Sequence, residues 1–297
     1  KVVSCQNNGF YLNFFINLHY LRVSTPSGYS QAKVKDILSD FEKENTKTDG
    51  NSSEETNTTQ SNKKRTYNKD FSTNQSLGDK PNIILIMNES LADYSLIGKV
   101  NYNRDPLAFI HSLDENTIYG RDYVSIFGAG TSNSEFEAMT GNTIKFFPSG
   151  SNVYQQFMHE STFALPGYLK KLGYRCEAIH PSSGANWNRT ASYKSMGFDQ
   201  FLTIDDFKNP EYVRYISDKE SYKKVIERYK NKKEGQPLFV FDMTIQNHGG
   251  YLTNTNWKDP VYPEGSHLPE AKEFLSATKV SDDAFQYLVK YFEKQDE

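Results

Sequence analysis

The strongest regularity along the chain is a set of short, unbroken apolar runs separated by amphipathic and polar stretches. Asn82–Met87 (NIILIM) is a continuous apolar run of the kind buried on both faces of a parallel sheet, Pro237–Ile245 (PLFVFDMTI) is a second strongly apolar strand, and Tyr174–His180 (YRCEAIH) reads as a strand ending at His180. Gly120–Phe127 reads as a further strand. Tyr102–Leu113, Thr162–Leu172, Ser217–Lys232 and Glu270–Lys294 read as helices, the last with a break expected near Ser281. This alternation predicts an α/β fold, a mainly parallel, doubly wound sheet with helices on both faces.

Upstream of Pro81 the pattern changes. Gly9–Val23 (GFYLNFFINLHYLRV) falls short of the roughly 20 apolar residues of a membrane span and is interrupted by Asn13, Asn17 and His19. Its near-helical apolar spacing suits an amphipathic helix lying on a membrane or on the domain. Ala32–Lys43 reads as a short polar helix. Asn45–Lys80 has almost no aliphatic residue before Leu77 and cannot bury enough apolar surface to offset its ordering entropy. The expected organisation is a membrane-proximal connector at 1–44, a flexible linker at 45–80 and a globular domain at 81–297. The opening KVVSC lacks an initiator Met and a long apolar core, so it is not a signal peptide, and the chain reads as cut from a longer precursor.

Composition refines this division. An apolar fraction of 36% is low for 297 residues, as expected if part of the chain does not pack, while 20 Tyr and 20 Phe supply a core for the rest. A formal charge of −3 gives no basic footprint for nucleic acid. Cys5 and Cys176 match no zinc or redox spacing and read as free thiols, with a disulfide the alternative in an exported protein.

Candidate chemistry centres on Gly128–Gly141 (GAGTSNSEFEAMTG). A small-residue turn leads into a helix starting at Thr131, with Gly141 as its C-cap. Backbone N–H groups at such a helix start favour a phosphate, and a hydroxyl placed there becomes a nucleophile if a base or metal lowers its pKa. The plainer role for Thr131 is N-capping. Glu89, just past the first strand, sits where open α/β sheets bind ligands, or else it is a capping or solvated carboxylate. With His180 and His248, four expected strand ends put polar groups on one edge, and the Pro181–Arg189 loop adds Trp187 and Arg189. Singly, each has a structural role as hydrogen-bonded histidine, packing tryptophan or salt-bridged arginine; jointly they describe a cleft.

These segments resemble the lipoteichoic acid synthase and phosphoglycerol transferase family, membrane enzymes with a sulfatase-like domain of the alkaline phosphatase superfamily. The resemblance is carried by Ile83–Ser90 (IILIMNES), GAGTSNSEFEAMTG, His180–Arg189 (HPSSGANWNR), Tyr193–Phe201 (YKSMGFDQF) and Gln246–Tyr251 (QNHGGY). Residues 8–30 (NGFYLNFFINLHYLRVSTPSGYS) also look like that family's connector. The resemblance implies Thr131 as nucleophile, and Glu89 with Thr131 as ligands of manganese or magnesium. It implies contacts of His180, Trp187, Arg189 and His248 with the head group. The implied reaction moves glycerol phosphate from phosphatidylglycerol to a glycolipid or polyglycerolphosphate acceptor, outside a bacterial cell membrane. Thr131 is followed by SNSE and not by the Cys/Ser-x-Pro-x-Arg core of sulfatases, which disfavours sulfate ester cleavage.

The chemistry of these residues is consistent with that carry-over. A divalent ion at Glu89 would acidify the Thr131 hydroxyl, Arg189 would offer a fork to the phosphodiester, a histidine would protonate the leaving group, and Trp187 would form an apolar wall. The family's remaining metal ligands, an adjacent Asp and His on a later strand, have no match in this sequence. The domain is therefore expected to lack its C-terminal strands and half of the metal shell. Two other readings are a phosphodiesterase or phosphatase that passes the same intermediate to water, and a head-group-binding domain without catalysis.

Overall fold

The computed structural model describes residues 15, 27–47, 80–96, 98, 100–126, 128–158, 161–251, 255–265 and 268–295. The chain divides into two compact units, Lys1–Asn74 with Phe146–Gly150, and Gln75–Lys145 with Ser151–Glu297. In the first unit, helix α1 spans Gln31–Lys47, longer at both ends than the pattern predicts. Ser30 Oγ accepts from Lys33 N at 3.1 Å and so occupies one of the unpaired donors at its start. The amphipathic helix expected at Gly9–Val23, apart from Phe15, and the linker from 48 to 79 lie outside the described residues.

The second unit is built on a four-stranded parallel sheet: β1 (Ile83–Met87), β2 (Arg175–Ile179), β3 (Gln200–Leu202) and β4 (Leu238–Met243), in the order β1-β4-β2-β3. Around it run α2 (Ala108–Ser112), α3 (Thr131–Thr140), α4 (Val153–Gln156), α5 (Leu165–Lys171), α6 (Arg189–Met196), α7 (Asp218–Lys230) and α8 (Pro269–Phe292). Strand β4 is central and buried along its whole length, which is why its sequence is apolar without alternation. Leu238 and Val240 join Ile179, Leu202, Tyr222, Val225 and Leu288 in a core against α7 and α8. Phe239 and Phe241 point the other way, where Phe198 stacks on both and Tyr193 meets Phe241 edge-on. On that face Cys176 is buried and free, its Sγ contacts Pro166 O at 3.4 Å, and burial pushes its thiol up to about 12. Close burial on both sides of one sheet is the expected doubly wound arrangement.

Four details depart from the sequence pattern. Gly120–Phe127 forms no strand in its described part, because nothing covers it: Tyr123 is 85% exposed and Val124 54%. The helix expected over Tyr102–Leu113 contracts to Ala108–Ser112. Pro106 precedes it, the Asp105 carboxylate accepts from Leu107 N at 2.8 Å, and Tyr102 is drawn into a bridge with Pro263. No break occurs at Ser281, where α8 continues because the Ser281 hydroxyl donates to the buried Asp218. Strand β3 and helices α4 and α6 escaped the pattern because they are short, with three, four and eight residues.

Under the C-terminal end of the sheet lies a buried polar layer. Asp242 accepts from Ser221 Oγ at 2.6 Å, Asp218 N donates to Gln246 Oε1 at 3.1 Å, and Thr244 Oγ1 donates to Asn88 Oδ1 at 3.1 Å. Burial, with Asp218 close by, pushes the Asp242 carboxyl up to about 8, and burial raises Asp218 to about 6. Unfolded, both titrate near 3.8. Between these values the folded state holds the extra protons, so their contribution to stability is full below the unfolded value and is lost as pH rises through the folded ones. Urea unfolding at pH 5 and pH 8 should therefore show a loss at the higher pH, and Asp242→Asn should reduce it. An identical pH dependence in that variant would contradict a buried, protonated Asp242.

Candidate active site

The site begins where β1 ends. The apolar run closes with Asn88, and the backbone N–H of Glu89 donates to Thr244 Oγ1 at 3.0 Å, tying the end of β1 to the end of β4. Ser90, at φ 53°, turns the chain and donates from Oγ to Glu89 Oε1 at 2.8 Å. One carboxylate oxygen is thus held, and the other faces Thr131, whose Oγ1 lies 3.5 Å from Glu89 Oε2. Residues 42 apart in sequence meet as expected, on one edge of the sheet.

Thr131 gets there by an unusual backbone. Gly128, Ala129 and Gly130 have φ of 57°, 44° and 85°, three consecutive left-handed residues. Gly130 is the N-cap of α3, and a Cβ at its positive φ would be strained whatever the available space. Thr131 is therefore not the N-cap but the first residue of α3, with its side chain free to reach Glu89 and the helix's unpaired N–H groups beside it. Gly141 caps the far end at φ 67°, as its position implies. Ala129 has no glycine's freedom, and such strain clusters at functional sites. Glu89, Ser90 and Thr131 border a cavity of about 520 Å³, whose walls include Met87, Val124 and Ile126.

The other expected residues are placed differently. His180 is 2% exposed. Its Nδ1 donates to Met243 O at 2.8 Å and its Nε2 lies 3.3 Å from Arg189 Nη1, so both ring nitrogens are engaged within the protein. Burial and the adjacent guanidinium lower its pKa to about 4, which keeps it neutral. Arg189 is 3% exposed, and its fork grips Glu135, with Nη2 to Oε1 at 2.6 Å and Nε to both oxygens at 3.1 and 3.2 Å. The fork expected to meet a phosphodiester thus faces a carboxylate, and Nη1 alone turns elsewhere. Trp187 and Asn188, at φ 58° and 61°, reverse the chain so that Trp187 is 38% exposed while Arg189 is buried. Gly184 lets this loop close, since a Cβ there would come within 2.8 Å of Thr190 Oγ1. His248 is exposed beyond β4 with Tyr215 edge-on at 5.7 Å. None of these four lines the cavity beside Thr131.

Sequence reading passed over several contributors. Glu135 is fully buried one helical turn beyond Thr131 and also accepts from Tyr193 Oη at 2.7 Å. Its signal was an acidic side chain on α3 with no basic residue three or four positions away. Thr244, by contrast, was marked only by ending an apolar strand just as Glu89 does. Arg214 holds the loop carrying His248, donating from Nη2 to Gly250 O at 2.6 Å and lying 4.8 Å over the Tyr251 ring.

Glu89 and Thr131 supply two oxygens of the hard type that manganese and magnesium prefer, close enough to share an ion. That donor set fits the expected cation. Among the described residues no group of three His, Cys, Asp or Glu side chains is arranged to hold a metal, and no helix is long and apolar enough to cross a membrane.

Comparison with known proteins agrees with this fold. The chain is 31% identical over 296 residues to a putative cyclic beta-1,2-glucan modification protein of Rhizobium meliloti, covering 98% of this chain and 41% of that one. It is 28% identical to lipoteichoic acid synthase 1 of Bacillus subtilis over 60% of this chain and 28% of that one. The chain thus spans less than half the length of these relatives. Among solved structures, the phosphoglycerol transferase GacH of Streptococcus pyogenes, in complex with sn-glycerol-1-phosphate, superimposes with a TM-score of 0.71 at 20% identity, over 92% of this chain and 68% of that one. The lipoteichoic acid synthase LtaP of Listeria monocytogenes gives 0.58 at 19% identity, over 72% and 52%. The sulfatase family model matches residues 81–297, and the chain belongs to that family.

Proposed function

We propose that the whole protein is a phosphoglycerol transferase acting at the outer face of a bacterial membrane, with Thr131 as its nucleophile. The observation that carries this reading is the Thr131 hydroxyl at a helix start, 3.5 Å from the Glu89 carboxylate at the C-terminal edge of a parallel sheet. Thr131 gives up its hydroxyl proton to water, its Oγ attacks the phosphorus of phosphatidylglycerol, and the P–O bond to diacylglycerol breaks. The departing oxygen takes a proton, for which the exposed His248 is the candidate donor. A glycerol-phosphothreonine ester remains, and an acceptor hydroxyl then attacks it, frees Thr131 and gives up its own proton. A manganese or magnesium ion held by Glu89 and Thr131 would make that hydroxyl acidic enough to react near neutral pH. The first turn of α3 stabilises negative charge on the phosphoryl oxygens.

For the acceptor, the match to a glucan modification protein over nearly the whole chain favours a glycan hydroxyl over a growing teichoic polymer. The Glu135–Arg189 pair sets the position of α3, so we assign Arg189 to positioning, with Trp187 and His180 flanking it.

Full-length protein supplied with headgroup-labelled phosphatidylglycerol and manganese should release diacylglycerol, and mass spectrometry should find the label on Thr131. Thr131→Ala should lower turnover by at least about 10³-fold. Glu89→Gln should do likewise and weaken the manganese requirement. Label passing to water even with saturating acceptor would make the protein a hydrolase, and headgroup binding that survives Thr131→Ala without any turnover would make it a binding domain. Arg189→Ala should cost about 3–5 kcal/mol of stability by leaving Glu135 buried and unpaired, besides lowering activity. Loss of activity at unchanged stability would instead assign Arg189 to direct substrate contact.

A further inference from the structure

Beside the cavity at Thr131, a second recess of about 290 Å³ opens between the loop after β1 and the start of α8. Its walls include Tyr94, Tyr102, Tyr251, Phe274 and Leu275, with Glu270 among them. The rings brace one another: Phe274 meets Tyr94 at 5.1 Å and Tyr251 at 5.3 Å, both edge-to-face. Tyr102 is fixed from behind by its bridge to Pro263. This wall connects to the catalytic edge. The Tyr251 hydroxyl donates to Asn247 O at 2.5 Å and is within hydrogen-bonding contact of Ser90, which in turn donates to Glu89.

We infer that this recess is a saccharide subsite that seats the acceptor glycan, an inference that rests on the transferase reading above. A sugar ring presents an apolar C–H face that packs on aromatic rings and a rim of hydroxyls that needs donors and acceptors. The aromatic wall supplies the first, and the Tyr94 and Tyr102 phenols with the Glu270 carboxylate supply the second. An anionic headgroup is disfavoured, because Glu270 repels it and no Lys or Arg is among the described lining residues. A lipid chain is disfavoured too, since it would desolvate the phenol hydroxyls and the carboxylate without replacing their hydrogen bonds. The volume suits one or two sugar rings and not an extended acyl chain. Position supports the assignment: Tyr251 of the recess wall contacts Ser90, which donates to Glu89 on the edge where the threonine ester would form.

The test uses full-length protein and cyclic beta-1,2-glucan as probe, with glucan binding measured by calorimetry in the absence of any lipid. Tyr102→Ala should weaken binding about tenfold, and Tyr102→Phe, which keeps the ring, should stay within about threefold. With labelled phosphatidylglycerol present, Tyr102→Ala should raise the glucan KM about tenfold and divert label from glucan to water. Near-UV circular dichroism checks that the variants keep their packing, and Phe274→Leu serves as a second probe of the same wall if Tyr102→Ala does not fold. Absence of glucan binding to the unaltered protein, equal affinity in folded Tyr102→Ala, or displacement of the glucan by phosphatidylglycerol vesicles would each overturn the subsite. Because the calorimetric arm contains no donor lipid, failure of diacylglycerol release would sink the transferase reading and leave the subsite to be decided by binding.

Discussion

The position of Thr131 depends on one ion pair buried out of reach of water. Glu135, fully buried on the helix that begins with Thr131, is gripped by Arg189 at the start of the helix after β2. Arg189 touches His180, and His180 donates to the last carbonyl of the central strand at Met243. Helix, loop and sheet are thereby joined through three side chains that have almost no solvent contact. Each charge left water at considerable expense, and their mutual attraction offsets that only with good geometry. The bidentate grip and the further hydrogen bond from Tyr193 provide it. An apolar trio of the same volume would pack as well but would fix orientation less strictly. Orientation is what keeps the Thr131 hydroxyl facing the Glu89 carboxylate.

That network explains which parts of the molecule could be read from sequence. Strands β1 and β4 were legible as unbroken apolar runs of the kind a parallel sheet selects, and β2 as a shorter stretch ending at His180 in spite of Arg175 and Glu177. Thr131 and Glu89 were legible for the same reason, as polar residues placed just beyond features that sequence marks well. Gly120–Phe127 misled because its apolar residues suit a strand, yet a strand also needs a neighbour, and neighbours are a tertiary property. Arg189 and His180 were placed on the right edge but at the wrong depth. Whether an arginine faces a ligand or a glutamate 54 positions away depends on a helix packing that no local pattern encodes. The reversal at Trp187 and Asn188 was equally hidden, since left-handed backbone readily selects asparagine but not a tryptophan before it.

The sheet also separates its tasks by depth. Its middle is apolar on both faces, its C-terminal rim carries Glu89 and Thr131, and between them runs a layer of Asn88, Thr244, Gln246 and two acids raised towards neutrality by burial. Those groups hold the ends of β1 and β4 together, so the rim is built on hydrogen bonds while the body is built on area removed from water.

Strand β1 lies at one side of the sheet, and among the described residues none pairs with its outer edge. All five of its residues, Ile-Ile-Leu-Ile-Met, are only half covered. Such an edge is a template on which another extended chain can add a strand. The consequence concerns handling and colloidal behaviour as much as chemistry. In any form of the protein that leaves this side uncovered, self-association should begin at β1 and grow with concentration. A lysine facing outward at that edge would be the economical remedy, since it leaves Glu89 and Thr131 untouched.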